Sequence, residues 1–105
     1  MKVRYMFDVL SPYSALSTKG LLRYKAAWGM QLELVPVFLG GIMQATGNKP
    51  PAMLPARAAF QAKDLERQAK LFRVPMLPTP SNFFSNVARD TIQCQRLLCA
   101  ALDAG

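Results

Sequence analysis

Residues 2–14, KVRYMFDVL followed by SPYS, decide the fold. From Lys2 to Leu10 the side chains alternate, with Val3, Tyr5, Phe7 and Val9 on one face and Arg4, Met6, Asp8 and Leu10 on the other. A period of two in β-branched and aromatic residues predicts a strand with one buried face. Ser11-Pro12 follows at once. Serine accepts a hydrogen bond from the open N–H groups of a helix's first turn, and proline, lacking an N–H, fits the first helical position. A helix is therefore expected from this junction to about Trp28, stopped by Gly29. Its inward stripe is Leu16, Gly20, Tyr24 and Ala27, flanked by Leu21 and Trp28. Met30–Phe38 (MQLELVPVF) reads as a second strand. Pro36 near its end points to an edge or a bulge, because proline donates nothing to a ladder. Strand, helix and strand in this order form a βαβ unit, with parallel strands and a right-handed crossover.

Downstream the pattern turns helical. Leu39–Thr46 (LGGIMQAT) has room for one short helical turn, and Gly47–Pro51 (GNKPP) is a tight loop. Pro55 opens a longer helix to about Phe72, with Ala58, Ala62, Leu65, Ala69 and Phe72 at helical spacing. Asp64 and Glu66, beside Lys63, Arg67 and Lys70, read as a solvated mixed-charge face. Arg73–Pro80 (RVPMLPTP) carries three prolines and is extended. A last helix runs from about Asp90 or Thr91 to Leu102, with Ile92, Gln95, Cys99 and Leu102 along one side. The expected architecture is α/β, with residues 1–46 as a βαβ part and 47–105 as a loop and helical region. A two-stranded parallel sheet leaves an unpaired edge and an open face. The sequence thus reads as the opening of a larger sheet, and the chain as a partial one.

Composition narrows the chemistry. About half of the residues are apolar and 18% are charged, the mix of a folded domain rather than a disordered one. The longest apolar run, Leu34–Met43, is interrupted by Pro36 and Gly40-Gly41 and falls short of the ~20 residues of a membrane span. No charged-then-apolar leader opens the chain, so no cleaved secretory signal is expected. The absence of histidine removes Ser-His-Asp and Cys-His nucleophiles and every His-containing metal site, and no metal is expected. Cys94 and Cys99 stand five apart on the last helix, with Cα atoms ~8.6 Å apart by helix geometry. That exceeds the ~7 Å a disulfide tolerates, so both are expected as reduced, core-lining thiols. Thirteen Lys and Arg against six Asp and Glu give a net charge of +7. The basic residues are scattered and form no stripe interleaved with aromatics, so nucleic acid is not an expected partner, and neither is a membrane. Met6, Met30, Met43 and Met76 read as packing.

The chemistry concentrates at Ser11-Pro12-Tyr13-Ser14. A strand tip feeding a helix N-terminus presents unpaired N–H groups and the positive end of the helix dipole. Both stabilise an anion and lower the pKa of a thiol placed there. In thioredoxin-type proteins this position carries Cys-x-x-Cys. Here both ends are serine, which excludes disulfide exchange through the tetrad and leaves a hydroxyl able to donate to a thiolate brought by a ligand. On spacing alone the favoured reading is the plainer one, an ordinary N-cap serine with proline at the first helical position. Val74-Pro75 has the look of a thioredoxin cis-proline turn. It lies between two helical segments, within the proline-rich stretch, and is read as a decoy.

Phe7–Ser14 (FDVLSPYS) with Leu21–Trp28 (LLRYKAAW), Gly41–Pro51 (GIMQATGNKPP) and the KDL of Lys63–Leu65 resembles the N-terminal half of kappa-class glutathione transferases. The resemblance continues weakly through VPMLPTP to the last helix, covering nearly all of this chain and about the first half of the family's. It implies a thioredoxin-like βαβ start followed by a helical insertion domain, with the C-terminal strands of that fold absent. It implies glutathione and a small electrophile as substrates. Ser11 corresponds to the serine that hydrogen-bonds the glutathione sulfur and stabilises its thiolate. Pro12 and Tyr13 belong to the same glutathione-binding segment, and Asn48 of the GNKPP loop is a further contact. The family's later helices, its last two strands with their cis-proline and its late glutathione contacts have no counterpart here.

The activity so implied is conjugation of the glutathione thiolate to an electrophile such as an activated aryl halide, or reduction of a peroxide. Thiol activation and positioning are the protein's share. The neighbouring reading is 2-hydroxychromene-2-carboxylate isomerase, which resembles the same fold and uses glutathione as cofactor; the GNKPP loop favours the transferase. A non-catalytic truncated isoform is the reading from another class. The resemblance also implies a homodimer in the full-length form and a mitochondrial or peroxisomal location, with the cytosol open. The positive charge then serves solvated faces and attracts anionic glutathione.

Overall fold

A computed structural model describes residues 1–76, 79–80, 83 and 87–105. Along the chain lie β1 (Lys2–Phe7), α1 (Pro12–Tyr24), β2 (Gln31–Pro36), α2 (Leu39–Thr46), a 3-10 turn (Pro51–Met53), α3 (Pro55–Phe72) and α4 (Ala88–Asp103). β1 and β2 pair in parallel, from Lys2 opposite Gln31 to Phe7 opposite Pro36. The alternation holds: Val3, Tyr5 and Phe7 are half-buried while Lys2, Arg4 and Met6 face solvent. Met6 is therefore not a packing residue. On the exposed side Arg4 Nε sits 3.2 Å from Glu33 Oε2, its register partner, a cross-strand pair that supports this register.

β1 ends three residues earlier than the pattern suggests, because Asp8 turns the chain. Its Oδ1 accepts the Leu10 N–H at 2.8 Å and its carbonyl accepts the Ser11 N–H at 3.0 Å, an Asx-type turn in place of ladder bonds. Regular α1 stops at Tyr24, short of the expected Trp28. Residues 25–29 form the closing turn, in which Met30 N–H reaches back to Lys25 O at 2.9 Å and Gly29 N–H to Ala26 O at 3.2 Å. This double closure requires a left-handed residue, and Gly29, at φ +57°, supplies it without a Cβ clash. Tyr24 and Ala27 consequently leave the inward stripe. Tyr24 and Trp28 are exposed, and their rings stack 4.9 Å apart. Leu16 and Gly20 are the buried residues of α1.

α2 is a full two-turn helix rather than a single turn, begun at Leu39 and closed by left-handed Gly47. Tertiary anchoring accounts for the extra length, since Asp8 Oδ2 accepts the Leu39 N–H at 2.7 Å. α3 has the expected ends. Glu66 and Lys70 pair at 2.7 Å on its solvated side, which holds the Glu66 carboxyl below its ordinary pKa. Asp64, expected on that solvated side, is instead half-buried and faces α1.

The stripe expected along α4 is withdrawn from solvent only in its first half, at Ile92 and Gln95, while Cys99 and Leu102 are exposed. The buried residues of α4 are Thr91 and Gln95, and Cys94 and Cys99 are exposed free thiols, not core-lining ones. Gln95 faces inward, as its place on the stripe predicts, and answers backbone groups at the strand ends. Cys94 lies about 100° round the helix from it, and Cys99, one turn further along the Gln95 face, is exposed because burial on α4 ends before it. Val74-Pro75 is not cis, and no cis peptide occurs among the described residues. Leu77, Pro78, Ser81, Asn82, Phe84, Ser85 and Asn86 lie outside the described residues, and with Leu77 and Pro78 goes part of the expected extended stretch.

Candidate functional site

Ser11 stands where the sequence puts it, at the N-cap of α1. Its backbone is extended (φ −85°, ψ 118°) and its Oγ accepts the Ser14 N–H at 3.2 Å. That bond occupies a lone pair and leaves the hydroxyl hydrogen available for a ligand. Pro12 takes the first helical position and contributes no N–H, and the first turn holds no acidic residue to compete for the positive end of the helix.

The first turn is tied down from the strand side. Tyr5 of β1 donates its hydroxyl hydrogen to Ser14 O at 3.0 Å and meets Ser17 Oγ, while Thr18 Oγ1 donates to Ser14 O at 2.7 Å. On the opposite side Tyr13 reaches α3, where its hydroxyl donates to Asp64 Oδ2 at 2.7 Å. Burial in this corner is the main cause that pushes the Tyr13 phenol up to about 12, followed by the hydrogen bond to Asp64 and that residue's charge.

Between these walls lies a cleft of about 560 Å³, lined by residues that include Ser11, Tyr13, Ser14, Asp64 and Phe72. Its volume falls within the range of small-molecule sites. Ser11 and Tyr13 therefore share one cleft, with Pro12 between them in the chain. Asn48 does not line it. Asn48 follows Gly47 at the end of α2, is exposed, and turns its Oδ1 onto the Lys49 N–H at 2.9 Å. Among the described residues no group of three or more His, Cys, Asp or Glu is placed to hold a metal.

Three residues around the site were not singled out by their sequence. Asp64 supplies the carboxylate of the cleft. Asp8, 3% exposed, binds the N–H of Leu10 and the N–H of Leu39 through its two carboxylate oxygens, and so locks the loop before Ser11 to the start of α2. Gln95 crosses from α4 to both strand ends. Asp8 carried a readable signal, since it sits on the less apolar strand face three residues before an N-cap, where Asp favours a turn.

A family profile described as a DSBA-like thioredoxin domain matches residues 2–105. Glutathione S-transferase kappa 1 of Rattus norvegicus is 42% identical over 95 residues, which is 90% of this chain and 42% of that protein. The protein of the same name from Caenorhabditis elegans is 40% identical over 80 residues, 75% of this chain and 35% of its own length. Among solved structures, a 2-hydroxychromene-2-carboxylate isomerase superposes with a TM-score of 0.70 at 28% identity, over 79% of this chain and 41% of the isomerase. The chain thus spans about two fifths of the length of the curated relatives it matches.

Proposed function

The chain belongs to the DSBA-like thioredoxin-domain family, and on that footing we propose that it carries the thiolate-binding part of a glutathione transferase site. The observation that carries this reading is Ser11. In a fold whose redox members use a cysteine at this point, it holds a hydroxyl at a helix N-terminus with its hydrogen uncommitted, beside an open cleft. Glutathione enters as its thiol. The thiol gives up its proton to solvent, and the helix N-terminus and the Ser11 hydroxyl stabilise the resulting thiolate. The sulfur attacks the ring carbon of an activated aryl halide, forming the C–S bond as the C–halogen bond breaks and halide leaves. Pro12 and Tyr13 shape the binding segment, and Asn48 is the outlying contact for the tripeptide. Conjugation is the primary reaction proposed, with reduction of a peroxide to alcohol and water as a further outcome, in which two glutathione molecules supply the electrons and leave as the disulfide. The two kappa transferases at 40% identity and above support this choice.

The structural similarity to the isomerase favours one alternative, glutathione-dependent isomerisation at the same serine. Two assays separate them: conjugation of an activated aryl halide, and isomerisation of 2-hydroxychromene-2-carboxylate with glutathione present.

The carrying observation is tested by Ser11→Ala. A hydrogen bond to an ion is worth about 1.5–3 kcal/mol, or roughly a tenfold to hundredfold in rate. The variant should lose conjugation to that extent, bind glutathione less severely impaired, and raise the thiol pKa of the bound tripeptide, followed by thiolate absorbance. An unchanged bound-thiol pKa would remove Ser11 from the chemistry.

A further inference from the structure

Gln95 is 4% exposed, in the second turn of α4. Its side chain spans the carboxyl ends of both strands. Nε2 donates to Phe7 O at 2.8 Å and to Val37 O at 2.7 Å, which uses both of its N–H groups. Oε1 accepts the Val9 N–H at 3.3 Å. The first two bonds close off the end of the sheet; the third acts on the turn that leads to the site. Val9 lies between Asp8, whose carbonyl accepts the Ser11 N–H at 3.0 Å, and Leu10, whose N–H is bound by the Asp8 carboxylate. Residues 8–11 aim the first turn of α1, and they are gripped by Asp8 within the chain and by Gln95 from a helix more than eighty residues away.

We propose that Gln95 is a positioning residue for the Ser11 site: by holding the strand-to-helix turn through Val9, it sets how the α1 N-terminus and the Ser11 hydroxyl meet the sulfur of a bound thiol. The inference rests on the thiolate reading of Ser11, and its test is chosen so that no glutathione is needed. An apolar residue of the same length would fill the space but leave the Val9 N–H and the Val37 carbonyl without this partner, freeing the turn to re-aim.

A thiol placed at the N-cap reports the local field directly. Ser11→Cys is made in a Cys94→Ser/Cys99→Ser background, and the pH profile of its alkylation by iodoacetamide is recorded. Its midpoint should lie below the ~8.5 of a free cysteine. Adding Gln95→Met should raise that midpoint by about half to one pH unit, a three- to tenfold smaller thiolate fraction at neutral pH. The titratable groups around the reporter, Tyr5, Asp8, Tyr13 and Asp64, are the same in both proteins. Gln95→Asn keeps the amide on a side chain one methylene shorter and should fall between them. A Gln95→Met protein that keeps its circular dichroism and shows an unchanged midpoint overturns the proposal. Should that variant not fold, Gln95→Asn is read alone; an unchanged midpoint there, or failure of both to fold, assigns Gln95 to stability only and also overturns it. A midpoint that responds to Gln95 in a chain that does not bind glutathione supports this inference while removing the transferase reading.

Discussion

Tyr13 joins two parts of the molecule through a single hydroxyl. The phenol of this partly exposed residue sits against α3 and donates to Asp64 at 2.7 Å. Desolvation, then the hydrogen bond, then the Asp64 charge raise its pKa from the ordinary 10.0 to about 12. The raised value fixes a sign. In the folded chain the neutral phenol is favoured, so the contribution to stability is complete below about pH 10 and is lost as the pH climbs through about 12. Spectrophotometric titration of tyrosinate should therefore show a transition near pH 12 that disappears in Tyr13→Phe. Urea midpoints of the parent should fall between pH 10 and 12 more steeply than those of the variant. The same substitution removes the link between α1 and Asp64 and leaves Ser11 in place, so glutathione binding should weaken without a change in the bound-thiol pKa. Parallel urea curves across that pH range would place the Tyr13 hydroxyl in solvent rather than on Asp64.

At the scale of elements, the cleft exists because α1 and α3 touch. Gly20 is the point of approach: a Cβ there would lie 3.2 Å from Cε1 of Phe72, tighter than ordinary packing. Gly20→Leu should push the helices apart and cost about 1–3 kcal/mol by overpacking. The thermal midpoint should then drop by at least several degrees, and the Tyr13 titration should move back toward 10 as Asp64 recedes. An unaltered Tyr13 titration would show that the ring of Phe72 yields instead of the helix. These elements were legible in the sequence to different depths. The strand alternation from Val3 to Phe7, the Ser11-Pro12 start, the Gly29 reversal and the ends of α3 are written in local propensity, and each is where the pattern puts it. Asp64, Asp8 and Gln95 are different. Periodicity sends Asp64 to a solvated face and leaves Gln95 on the apolar side of its helix without a role, whereas the three turn inward to meet a phenol, two loop amides and the strand ends. The demand for Gln95 arises only after β1 and β2 have paired, so nothing local to α4 announces it. Cys94 and Cys99 are exposed for a reason equally absent from the local pattern: α4 is covered only as far as Leu98, and Cys94 lies off its covered face. The N-cap position of Ser11 was legible in Ser11-Pro12, and its proposed role with a thiolate comes from that position and the family resemblance together, while the placement of Asn48 outside the cleft wall depends on the course of α2.

At the scale of the molecule, little apolar surface is withdrawn from water. Among the described residues the hydrophobic side chains that are buried are Leu16, Met30 and Ala69, while Met6, Phe60, Leu71 and Leu97 are each more than 60% exposed. The radius of gyration is 15.0 Å, against about 13 Å for a compact domain of this size. Both strands of a two-stranded sheet are also edge strands, with unpaired N–H and C=O groups along one side. Exposed apolar patches beside open strand edges favour association over a stable monomer. The purified chain should therefore sediment as a concentration-dependent mixture and show a weak urea dependence for its length, because the m-value follows the area exposed on unfolding. If a dimer dominates, each tenfold rise in protein concentration adds about 1.4 kcal/mol to its apparent stability, and the thermal midpoint should climb by a few degrees. Substituting Leu71 and Leu97, the two most exposed leucines among the described residues, with lysine should shift sedimentation toward monomer while sparing α1 and its N-terminus. A chain that stays monomeric at high concentration, with the m-value of a compact domain, would mean that these side chains are covered in solution by a packing different from the one described.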